Sequence, residues 1–264
     1  MNDRVSISID TGIADVRLNR PDKMNALDPA MFEGIAAAGA ALAANPEVRV
    51  VVLSGAGRAF CAGLDMMSFT KLKSAGGGDI TDRSHGAANL FQHVAWLWRQ
   101  LPVPVIAAVH GVAFGGGFQI MLGADLRIAA PDTKLSIMEI KWGLVPDMAG
   151  IALTRTLMRD DVLRELTFTG RVFDATDGVG YGCVTRVDPE PHAAAMTLAR
   201  EIASKSPDAV RGAKRLYNQA AEDDASAILR AESVEQKGLI GGTNQMEAVM
   251  ANLEKRAPTF RDPA

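Results

Sequence analysis

No aspartate, glutamate, lysine or arginine occurs between Val103 and Ala124, a stretch close in length to one that crosses a membrane as a helix. Its internal punctuation argues against such a span. Pro104 opens the run Val105-Ile106-Ala107-Ala108-Val109, Gly111 interrupts it, and Gly115-Gly116-Gly117 stands before a second apolar segment. Glycine clusters break a long helix, whereas a buried strand, a glycine turn and a buried helix use each of them. So apolar a centre needs a large enclosing fold, and 264 residues suffice for one.

The same alternation of strand, turn and helix is legible on either side. Val5, Ile7 and Ile9 alternate with polar residues, Asp10-Thr11-Gly12 supplies a turn, and Val16 and Leu18 resume the pattern, which predicts a hairpin. Asp28-Pro29 offers an N-cap followed by proline at the first helical position, ahead of the alanine-rich segment from Phe32 to Ala44. Arg49 to Leu53 reads as another buried strand ending in Gly55-Ala56-Gly57, and Leu126 to Ala129 and Leu135 to Ile137 as shorter ones. Lys71 to Asp82, with Gly76-Gly77-Gly78, reads as a mobile loop. Beyond Gly150 helix dominates, with segments expected from Pro189 to Lys205, Pro207 to Ala220, Asp223 to Leu239 and Asn244 to Leu253. The fold class expected is α/β, with a core over residues 1–188 and a helical region over 189–264.

Several function classes are disfavoured at once. Lys and Arg number 28 against 31 Asp and Glu, a net charge of −3, which gives no general attraction to nucleic acid or to an anionic membrane. Cys61 and Cys183 stand far apart, and the four histidines lack the spacing that puts two ligands on one helical face; no metal is expected. The opening MNDRVSISID lacks the apolar core of a secretory signal and the final RDPA is not a peroxisomal address, so a cytoplasmic location is expected. The glycine loops match neither common phosphate cradle. Gly55-Ala56-Gly57-Arg58-Ala59-Phe60 has phenylalanine at the sixth position of a dinucleotide fingerprint, and Gly115-Gly116-Gly117 lacks the Lys-Ser/Thr ending of a P-loop. His110, at the end of an apolar strand, reads as a hydrogen-bonded structural histidine.

Taken together, GAGRAFCAGLD from Gly55, PVPVIAAVHGVAFGGGFQ ending at Gln119 and KLSIMEIKWGLVPDMAG from Lys134 resemble the three central motifs of the enoyl-CoA hydratase/isomerase, or crotonase, superfamily. NRPDKMNAL near the start and EKRAPTFRD near the end extend the resemblance over nearly the whole chain. It implies a spiral of ββα units and a helical carboxy-terminal region that forms homotrimers or dimers of trimers. It also implies that the backbone N–H groups of Leu64 and Gly116 face a thioester oxygen, where enolate charge develops. Coenzyme A is expected near Lys23, Met24, Ala62 and Gly63 as part of the substrate, with no separate cofactor, and Asp65, Met66, Phe114, Gly115 and Gln119 complete the substrate-binding set. Lys255, Phe260 and Arg261 resemble a segment that reaches a neighbouring subunit's ligand, and read equally well as solvated charges and an oligomer contact.

Hydratases of this family use two glutamates to hold and protonate water. Here Gln119 takes the first position and Glu139 the second, and a neutral amide is not a general base. Asp147 stands where isomerases of the family carry an acid, and it also reads as an N-cap before Met148. The resemblance therefore implies a shift of a double bond in an enoyl- or dienoyl-CoA, with Glu139 and Asp147 dividing the proton transfer. Hydration of a 2-enoyl-CoA and a noncatalytic CoA-binding assembly role stand as the alternatives.

Overall fold

A computed structural model describes residues 3–65, 67, 79–221 and 225–262; Met66 and most of the loop expected from Lys71 to Asp82 lie outside them. The chain opens with the expected hairpin. Strands β1 (Val5–Asp10) and β2 (Ile13–Leu18) pair antiparallel with Asp10 opposite Ile13, so the turn is the two residues Thr11 and Gly12, both with positive φ. That handedness matches the twist of the flanking strands. Asp28 caps helix α1 (Pro29–Ala43) by accepting from Met31 N. Strand β3 (Val50–Gly55) then joins β2 in parallel, and Asn89 opens helix α2 (Leu90–Gln100) with a capping box completed by Gln92.

The uncharged stretch resolves into strand β4 (Val105–Val109), strand β5 (Val112–Phe114) and helix α3 (Gly116–Gly123). It is one turn of a spiral: β4 belongs to a six-stranded sheet, β5 to a three-stranded one, and α3 closes the turn. Strands β6 (Leu126–Ala129) and β7 (Lys134–Ser136) repeat the step. Helices α4 (Gly150–Thr154) and α5 (Asp160–Thr169) follow, then strand β8 (Phe173–Asp174), helix α6 (Ala175–Tyr181) and strand β9 (Arg186–Val187). The larger sheet runs β1-β2-β3-β4-β6-β9 and the smaller β5-β7-β8. Single bridges Leu27–Leu64 and Cys61–Ala113 extend the smaller layer toward the amino-terminal turns. The spiral of ββα units is thus the architecture of this chain.

Both faces of the larger sheet are covered, which is why its central strands are continuous apolar runs. Val51, Leu53, Val105, Ala107 and Val109 face the core with Ile35, Leu42, Trp98 and Ile120. Val50, Val52, Ile106, Ala108 and Ile128 face Ala195 and Ala199 of helix α7 (Pro191–Ala203). Helix α8 (Pro207–Ala220) is anchored by Lys214, whose buried Nζ donates to Trp98 O at 3.1 Å, Val103 O at 2.8 Å and the Asp125 carboxylate at 2.8 Å. Helices α9 (Ala225–Leu239) and α10 (Thr243–Glu254) complete the carboxy-terminal region. No helix among the described residues is long and apolar enough to cross a membrane.

The tail doubles back onto its own chain. Arg49, just before β3, pairs with Asp262 at 2.6 Å and donates to Phe260 O at 3.1 Å, while Asn244 brackets the backbone of Arg261. Arg49 lies at the edge where β3 begins, whereas the glycine loop leaves the edge where β3 ends. Phe260 and Arg261 therefore sit across the sheet from their own chain's loop.

Candidate active site

The three glycine-rich segments meet around one cavity of about 410 Å³. Ala62, Gly63 and Leu64 come from the loop after β3, Phe114, Gly115 and Gly116 from the junction of β5 and α3, and Glu139 and Asp147 from the segment after β7. Close backbone approach makes this possible. Gly63 has φ +88°, and a Cβ there would stand 2.6 Å from Phe114 O and 3.7 Å from Gly116 N. Only glycine lets the two segments lie side by side.

Two main-chain donors result. Leu27 N donates to Gly63 O at 2.8 Å and Asp65 N to Leu27 O at 3.0 Å, a parallel ladder in which the intervening Leu64 N–H turns away from Leu27. Gly116 is the first residue of α3, where an N–H has no partner within the helix. Neither N–H donates to a protein acceptor among the described residues. A negatively charged oxygen between them would meet two preorganised donors, one at a helix amino terminus.

The acids are tied together by an amide. Gln119 Nε2 donates to Glu139 Oε1 at 2.6 Å, and Gln119 Oε1 accepts from Met148 N and Gly150 N, each at 2.8 Å. Burial pushes the Glu139 carboxyl above its ordinary range, aided by the charge of Asp147 and opposed by nearby backbone N–H groups and the Gln119 amide. Its Oε2 is buried and has no hydrogen-bond partner among the described residues. Burial likewise raises Asp147, against which only its own backbone N–H acts. The N-cap reading of Asp147 is corrected: α4 begins after Ala149, which has φ +66° and makes no side-chain cap. Gln119 Oε1 takes the Gly150 N–H instead, from a different turn of the spiral.

Residues 8–263 match the family model described as enoyl-CoA hydratase/isomerase. The chain belongs to the enoyl-CoA hydratase/isomerase family. It is 33% identical over 210 residues to human mitochondrial Delta(3,5)-Delta(2,4)-dienoyl-CoA isomerase, a match covering 76% of this chain and 64% of that protein. It is 30% identical to carnitinyl-CoA dehydratase of Salmonella typhi over 99% of both. The crystal structure of an enoyl-CoA hydratase from Bacillus anthracis superposes with TM-score 0.88 at 31% identity, covering 97% of this chain and 98% of that one. Isomerase and dehydratase relatives stand at similar identity, so for this member of the enoyl-CoA hydratase/isomerase family the reaction has to be argued from the acids.

Other expected residues of this enoyl-CoA hydratase/isomerase family member take different places. Met24 O accepts from Ala62 N at 2.9 Å, with Lys23 exposed beside it, so these three adjoin the loop without Lys23 or Met24 entering the cavity wall. Asp65 also stays out of the wall, its carboxylate paired with Arg20 at 2.8 Å. Gln119 acts from behind the wall. His110 Nε2 lies 2.9 Å from Gly57 O, a structural contact. Cys61 is buried, its thiol pushed up to about 12 by burial, and behaves as packing.

Sequence reading missed two groups. Asn25, with φ +56° and its side chain buried, donates to Ala56 O, Ala59 O and Phe60 O and accepts from Arg20 N. An asparagine in the sequence NRPDKMNAL, a residue tolerant of left-handed backbone, was the available signal. The apolar wall, with Phe32 and Phe91 edge to face at 5.0 Å and Trp142 and Val145 more exposed, is drawn from three separate segments and had none.

Proposed function

We propose that this protein shifts a carbon–carbon double bond in an enoyl- or dienoyl-CoA thioester. The observation that carries the reading is the acid set of the cavity: Glu139 and Asp147 line it, and the position of the first hydratase glutamate holds an amide with every polar atom engaged. The Leu64 and Gly116 N–H groups receive the thioester oxygen as it gains charge. In this reading Asp147 takes a proton from the acyl chain in its ionised form, and Glu139, whose carboxyl burial and the Asp147 charge push upward, returns one to a different carbon. Electrons move only within the conjugated system, so the step needs no redox cofactor. Lys23, exposed beside Met24 and Ala62, screens phosphate charge of the coenzyme A portion.

A panel of enoyl- and dienoyl-CoA thioesters in D₂O, read by NMR, tests this. Double-bond migration with deuterium entering the acyl chain is expected, together with slow hydration of crotonyl-CoA. Hydration near the diffusional ceiling of about 10⁸ M⁻¹s⁻¹ would refute the inference from Gln119. Binding of every thioester without turnover would favour the noncatalytic role.

The assembly proposed is a homotrimer or a dimer of trimers. Leu229, Val234, Ile240, Met250 and Leu253 of the carboxy-terminal region are exposed in the single chain, and apolar surface of that kind is normally covered by a symmetric partner. Light scattering is expected to return three or six chain masses. A monodisperse monomer at micromolar concentration would count against it.

A further inference from the structure

Gln119 is 1% exposed, and all its polar atoms face protein. Its carbonyl oxygen sits between Met148 N and Gly150 N, which fixes which end of the amide is which: the NH₂ group must point at Glu139. The fit is close, since a Cβ on Gly150 would come within 2.6 Å of Gln119 Oε1 and 2.9 Å of its Cδ. Ala149 between the two donors holds a left-handed φ of +66°, a backbone state costing roughly 1 kcal/mol or more unless its surroundings enforce it. One amide thus grips Glu139 directly and the backbone just after Asp147.

We propose that Gln119 is a positioning residue for the acid pair: its oxygen anchors the turn that carries Asp147, while its nitrogen holds the Glu139 carboxyl through Oε1. The inference rests on the reading of Glu139 and Asp147 as the proton-transfer pair. The chemistry requires an amide. A carboxylate of the same shape would keep the two backbone donors, yet would set a second anionic oxygen 2.6 Å from Glu139 Oε1, where two carboxyl groups share one proton. A methionine would keep the volume and lose all three hydrogen bonds. The charge of Asp147 pushes the Glu139 carboxyl upward and the Gln119 hydrogen bond pushes it down, so altering Gln119 should change Glu139 ionisation.

The test follows ionisation and turnover separately. The intact protein is labelled with ¹³C at glutamate carboxyls, and the Glu139 signal is identified by its loss in Glu139→Gln. In Gln119→Glu the Glu139 titration is expected to become two-step, with the upper step raised by at least about one pH unit, a tenfold change in its proton equilibrium. In Gln119→Met a single raised midpoint is expected. Both variants should lower kcat more than they raise KM, and the alkaline limb of the pH–rate profile should move upward with the titration. A structural amide alone would not move that limb. If Gln119→Glu does not fold, Gln119→Met carries the same measurement. An unchanged Glu139 midpoint in a folded variant overturns the proposal. A raised midpoint in a protein that moves no double bond would retire the isomerase reading while upholding the hold of Gln119 on Glu139.

Discussion

Gly116→Pro is expected to lower kcat by about 10²–10³-fold, with KM for the thioester little changed. The substitution removes one of the two backbone donors, a loss worth about 2.7–4 kcal/mol in the transition state when the donor faces developing oxyanion charge. Position 116 suits the experiment because it is the first residue of α3, where proline is tolerated and no helical hydrogen bond is sacrificed. The confounding effect is space. Any Cβ at 116 would stand 2.7 Å from Met148 Sδ and 2.8 Å from Leu27 Cδ1. Both neighbours are side-chain atoms able to shift, and Gly116→Ala introduces the same Cβ while keeping the N–H. The loss attributable to the donor is therefore the difference between the two variants, with circular dichroism confirming the fold in each. Equal turnover in Gly116→Pro and Gly116→Ala would remove Gly116 from the oxyanion hole.

Asp147→Asn is expected to lower both turnover and deuterium exchange into the acyl chain by at least ~10²-fold, the usual cost of losing a general base. The variant nearly preserves size, and because Asp147 caps no helix, little stability should be lost with it. Its pH profile carries a second expectation. A base must be ionised, so activity should rise with pH through the Asp147 pKa; an acid must be protonated, so activity should fall through that of Glu139. Burial raises both above the ordinary carboxylate range, and both limbs of the wild-type profile should lie higher than solvated carboxylates would put them. Asp147→Asn should erase the rising limb. It should also shift the falling limb downward, since the negative charge that raises Glu139 is gone. Undiminished exchange would place the base elsewhere.

The features legible beforehand were those written in adjacent residues. The Thr11-Gly12 turn, the Asp28-Pro29 helix start and the apolar runs of β3 and β4 each follow from a few consecutive side chains, and the structure places them accordingly. The three central segments were readable as a set through their resemblance to the family's motifs; in the first two, Gly63 and Gly117 bring backbone close to backbone, a demand that few residue types meet. What escaped depends on distance along the chain. Asp147 looked like a cap because the local sequence allows it, whereas the oxygen that serves Gly150 N comes from Gln119. The partners of the other carboxylates have no local marker either; the fold gives Arg20 to Asp65 and an amide to Glu139. The tail's attachment to Arg49 joins residues more than 200 positions apart, beyond any periodicity argument.

Because both donors proposed for the thioester oxygen belong to the main chain, the activating step of the proposed reaction is insulated from most side-chain change around it. Leu64 presents its N–H whatever stands at its Cβ, so long as the Leu27 ladder holds the loop. On that reading, substrate range can drift, or be engineered, at the lining residues Leu64, Phe91, Trp142 and Val145 without touching the proposed donors. Selection acting on such a scaffold can try new acyl shapes one wall residue at a time, each trial keeping a working electrophile activator.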